Sequence, residues 1–120
     1  MKIFRSFSET KKALENNSAS CFSIVKNYLE RIKKSELNAF VEVFSKESLV
    51  EAKTIDQKLK KGQAGRLAGM VIGIKDNLCY KNHKVTASSK ILGGFESLYN
   101  STVVQRLLDE DAIIIGRLNC

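Results

Sequence analysis

Met70-Val71-Ile72-Gly73-Ile74-Lys75 is the stretch that decides the fold class of this chain. It is apolar up to its final lysine, as expected of a strand covered on both faces. A second run of this kind, Ala112 to Arg117, holds three consecutive isoleucines. A polar, irregular segment separates them, from Asp76 to about Asn100, broken by Gly93-Gly94. Ser101 then caps a helix running through Asp109, with Val104, Leu107 and Leu108 apolar. Strand, crossover helix and strand predict two parallel neighbours in one sheet, joined in the right-handed sense.

The sequence upstream reads as mainly helical. Cys21, Ile24, Val25, Tyr28, Leu29 and Ile32 fall at i, i+3, i+4, i+7, i+8 and i+11, a continuous stripe. Ser18 or Ser20 can cap that helix, and Asn38 lies just beyond it. Before it, Ser6 and Glu9 have capping-box spacing for a helix from Ser6 to Asn16. Ala39 to Phe44 reads as a short strand. Ser45 opens a third helix with Leu49, Ala52 and Leu59 inward, which Gly62 stops. Three glycines make Gly62 to Gly69 a loop. The architecture is α/β, with N-terminal helices followed by a β-α-β unit.

The chain has 120 residues, enough for one core and no second. Its 43% hydrophobic and 28% charged content is ordinary for a globular chain. No apolar run approaches the roughly 18 residues of a membrane span, and the charged start lacks the apolar stretch of a secretory signal. Cys21, Cys79 and Cys120 lie 58 and 41 residues apart, unlike a zinc or redox pair, and read as free thiols of a cytoplasmic protein. The single histidine, His83, cannot build a metal site with them and is expected to be exposed. The net charge of +7 permits polyanion contact. No aromatic residues interleave with the basic groups Arg31, Lys33 and Lys34 or Lys58, Lys60 and Lys61, which read as solvated helix faces.

Lys75 is the candidate for chemistry. With a period of two it shares a strand face with Val71 and Gly73, and Gly73 leaves room for another group. Carboxyl ends of strands in α/β sheets open onto binding crevices. A buried ammonium tends to lose its proton, and a neutral lysine is a competent base for a serine. The alternative is that Lys75 ends the strand in water, paired with Asp76.

Gly65 to Asn77, G-R-L-A-G-M-V-I-G-I-K-D-N, is similar to the first conserved block of the amidase signature family. Ala87-Ser88-Ser89-Lys90-Ile91-Leu92 resembles the block that follows. The segment from Ser101 to Leu107, then Ala112 to Gly116, Leu118 and Asn119, resembles the next helix and strand. Tyr28 to Ile32 with Asn38-Ala39-Phe40 recurs there too, so the resemblance covers nearly the whole chain. Met70-Val71 stands where many members have a proline, a departure at the strand entry only.

The resemblance implies the front portion of an amidase-signature fold, a mixed sheet covered by helices. It makes Lys75 the base of a Ser–cis-Ser–Lys triad. Asp76 and Asn77 match the same block and read as loop-orienting hydrogen-bond formers rather than direct substrate contacts. Both triad serines would lie beyond Cys120; Ser88 and Ser89 match the S-K-I-L block, not the nucleophile block. Residues 1–120 are therefore expected to be an inactive N-terminal portion of one amidase domain. The branch it most resembles is the glutaminase subunit of tRNA-dependent amidotransferases. That implies glutamine as substrate and the B and C subunits as partners in a heterotrimer. It also implies ATP and magnesium at the partner, no cofactor in this subunit, and tRNA contact mainly through the partner. The rival readings are a stand-alone amide hydrolase and a non-enzymatic basic RNA-binding module.

Overall fold

The computed structural model describes residues 4, 6–35, 39–76, 78–84 and 97–118. These form α1 (Phe7–Glu15), α2 (Cys21–Lys34), β1 (Phe40–Val43), α3 (Ser45–Lys60), β2 (Val71–Lys75), α4 (Thr102–Asp109) and β3 (Ile113–Leu118). The sheet order is β1-β3-β2, with β3 antiparallel to β1 and parallel to β2. This is the expected α/β fold with a mixed sheet. The parallel pairing of Val71 with Ile113 and Ile72 with Ile114 is that of the two apolar runs.

The helices start where short polar side chains replace missing backbone partners. Ser6 accepts from the Glu9 N–H at 3.2 Å, Ser20 from the Ser23 N–H at 3.1 Å, and Ser101 from the Val104 N–H at 3.3 Å. Ser20, rather than Ser18, caps α2. Phe44 occupies the N-cap of α3 with no side-chain bond, because a phenyl ring has no acceptor to offer, and the ring packs into the core instead. Gly62 follows α3 at φ +69°, a conformation that favours glycine.

Two apolar clusters sandwich the sheet. Cys21 and Val25 of α2 and Ala52 and Ile55 of α3 pack with Ile113 and Ile115. On the other side Val104 of α4 packs with Phe44, Ile74 and Ile114. Consecutive isoleucines thus serve opposite faces, which is why Ile113 to Ile115 are apolar without alternation. β2 departs from expectation: only Ile74 is buried, because β2 is an edge strand of the described sheet. Leu59, expected inward, is 37% exposed, whereas Ile55 is buried. Leu59 faces an open cleft with Lys11 and Leu14 instead of the sheet.

Asp56 ties α3 to α2. Its carboxylate accepts from the Cys21 N–H at 2.7 Å and the Phe22 N–H at 3.1 Å. A carboxylate there meets both the unpaired donors and the positive end of the helix. Asp56→Ala is expected to cost about 1–2 kcal/mol, read as a lower urea midpoint. The same carboxylate affects the buried Cys21 thiol. Burial first, and Asp56 second, push its pKa up to about 12. Iodoacetamide at neutral pH should therefore modify the half-buried Cys79 well before Cys21, as read by peptide mass spectrometry.

Candidate active site at the end of strand β2

Lys75 is the last residue of β2, paired in register with Leu118. Its side chain is exposed and has no ion-pair partner among the described residues. The expected burial is thus not found on this edge strand. The space beside Gly73 is also taken: a Cβ there would lie 3.1 Å from a Leu118 methyl. Asp76, considered above as a partner for Lys75, is 1% exposed, whereas the Lys75 side chain is exposed. It accepts a hydrogen bond from the Arg117 guanidinium.

Arg117 carries the local electrostatics, and periodicity alone hid it. Strict alternation would place it with Ile113 and Ile115. The pairing of β3 with β2 skips a residue between Ile114 and Gly116, so Arg117 instead pairs with Ile74. Such a bulge re-aims the side chains beyond it. One guanidinium nitrogen donates to Asp76, and the other to Glu42 of β1 at 3.2 Å. The signal available in the sequence was the cation itself, which closes an otherwise apolar run and needs a nearby anion.

The turn after Lys75 is fixed by backbone bonds too. The Asp76 N–H donates to the Leu118 carbonyl at 2.9 Å, and the Leu78 N–H to the Lys75 carbonyl at 3.0 Å. Further along, His83 is not exposed as expected: its side chain is only 13% accessible. It stacks on Tyr80 with ring centroids 3.9 Å apart and tilts against Phe44 at 4.6 Å. Its Nε2 lies 2.6 Å from the Glu47 carboxylate, and its Nδ1 lies 2.7 Å from the Lys81 carbonyl. The Tyr80 hydroxyl is pushed above its usual range by burial and then by Glu51 and Glu47. This cluster anchors the segment after β2 to the start of α3.

Asn77, Ser88, Ser89, Asn38, Cys120 and the Gly93-Gly94 pair lie outside the described residues. Among the described residues no group of three or more His, Cys, Asp or Glu side chains could hold a metal ion. No described helix is long and apolar enough to cross a membrane.

A lysine ending a strand, with its next residue locked to the neighbouring strand, fits the first block recognised in the sequence. The amidase family model matches residues 23–120. The chain belongs to the amidase signature family. It is 44% identical over 118 residues to the glutamyl-tRNA(Gln) amidotransferase A subunit of Chlorobium phaeobacteroides (strain BS1), covering 97% of this chain and 25% of that protein. It is 39% identical over 119 residues to the same subunit of Salinibacter ruber (strain DSM 13855 / M31), covering 98% and 23%. The chain thus spans about a quarter of the length of these amidase relatives. Among solved amidase structures, the peptide amidase of Stenotrophomonas maltophilia matches with TM-score 0.87 and 24% identity, over 96% of this chain and 24% of that one. An amidase family protein from Bacillus anthracis str. Ames matches with TM-score 0.89 and 23% identity, over 98% and 24%. These two share the fold.

Proposed function

We propose that this chain is the front portion of the glutaminase subunit of a tRNA-dependent amidotransferase, with Lys75 as its base. The reading is carried by identity of 44% to a glutamyl-tRNA(Gln) amidotransferase A subunit over 97% of the chain, a span that takes in the block from Gly65 to Asn77. In the proposed reaction Lys75 takes a proton from a bridging serine, which takes one from the nucleophilic serine. The nucleophile attacks the glutamine carboxamide. The proton held on Lys75 returns through the bridging serine to the leaving nitrogen, so that the C–N bond breaks to give a glutamyl ester and ammonia. Water then cleaves the ester to glutamate and restores the serine. Neither serine belongs to residues 1–120 in this reading, so the 120-residue chain is expected to be inactive by itself. The B and C subunits complete the heterotrimer in the cytoplasm. The B subunit, using ATP and magnesium, activates Glu-tRNA or Asp-tRNA for the ammonia.

The test is co-purification of the complete protein with its immobilised B subunit, followed by glutamine-dependent amidation of misacylated tRNA. Retention with amidation supports the reading. Hydrolysis of other amides without retention would make the protein a stand-alone amide hydrolase and refute it. The purified 120-residue chain should release no ammonia from glutamine; release that disappears in Lys75→Ala would overturn the claim that the serines lie elsewhere.

A further inference from the structure

We infer that Arg117, acting through Asp76, is a positioning residue for Lys75. The inference rests on the proposed role of Lys75 as base. Lys75 has no side-chain ion pair among the described residues, so the placement of its amine depends on the backbone from which it projects. That backbone is clamped immediately downstream. Asp76 is bound to β3 twice, by its N–H to the Leu118 carbonyl at 2.9 Å and by its carboxylate to Arg117. The side chains of the pair are 2% and 5% exposed, and Arg117 also reaches Glu42 of β1. One guanidinium therefore joins the end of β2 to β1 across the central strand.

Stability alone is a poor reason for this arrangement. Two buried charges lose their hydration, and apolar residues of similar volume are often as stable. The Arg117 Nε is moreover buried with no partner among the described residues, a further cost. What apolar replacements cannot supply is direction, because only the fork geometry fixes where the turn sits.

The experiment compares wild type, Arg117→Lys and the double variant Asp76→Leu/Arg117→Met. In the complete enzyme, amide hydrogen exchange at positions 76 and 78 should rise in the double variant while Val25 and Ala52 stay protected. Arg117→Lys, which keeps a cation for Asp76, should show intermediate exchange. In the same enzyme the double variant should lose about 100-fold in kcat with KM unchanged, and Arg117→Lys, which keeps the cation but not the fork, should recover only part of it. Wild-type exchange at 76 and 78 in both variants would overturn the clamp. An unchanged kcat in the double variant, with Lys75→Ala inactive, would overturn the positioning role and leave the base assignment standing. Full activity of Lys75→Ala would refute the base assignment, and the positioning role with it.

Discussion

Under the proposed function, Lys75→Ala is expected to lower glutamine hydrolysis by the complete enzyme by about 10³- to 10⁴-fold, with little change in KM. The magnitude is that of removing a general base whose proton transfer starts the nucleophilic attack. Lys75 is exposed and makes no ion pair with a described residue, so its truncation removes no packing. Its stability cost should stay within about 0.5 kcal/mol, and a melt of the variant should superimpose on wild type. Lys75→Arg should be equally inactive, because a guanidinium keeps the charge but cannot deprotonate. The pair separates proton transfer from electrostatics. Activity retained in Lys75→Arg but not in Lys75→Ala would show that only the positive charge matters.

Gly65→Ala should destabilise the chain by about 3 kcal/mol or more, through a clash that no side-chain movement relieves. An added Cβ would lie 2.6 Å from both the carbonyl carbon and the oxygen of Glu110, and 2.7 Å from its Cα. All three atoms are backbone, and that backbone is held in place. The Gly65 N–H donates to Asp111 at 2.7 Å, Asp111 receives Lys58 at 2.8 Å, and the Leu67 N–H donates to the Glu110 carbonyl at 2.9 Å. Asp111 itself has φ +68°, so the turn leading into β3 has little freedom to yield. Gly62→Ala is the matched control. It has φ +69° but nothing within 4 Å, so it should cost only about 1–2 kcal/mol of left-handed strain. Equal denaturant midpoints for the two variants would refute the steric argument.

Periodicity, caps and apolar runs made the elements of this chain readable along the sequence. The stripe from Cys21 to Ile32 became α2, Ser101 capped α4, and the two apolar runs paired in parallel. These are local properties: a helix face repeats every 3.6 residues, and a serine oxygen reaches only the next turn. The I-K-D-N block likewise marked Lys75 and the family directly.

Tertiary structure decided what depends on neighbours distant in sequence. Whether β2 was central or an edge depended on which strands lie beside it, and so did the exposure of Lys75. Leu59 and His83 exchanged their expected environments because helix phase and loop path are set by packing, not by composition. The skipped residue between Ile114 and Gly116 turned Arg117 onto the face where Asp76 waits, 41 positions away in sequence. The sequence by itself determined the elements, the α/β class and the candidate base. Only the folded chain decided which charges are buried together, because desolvating an ion is tolerable only where its partner arrives in space.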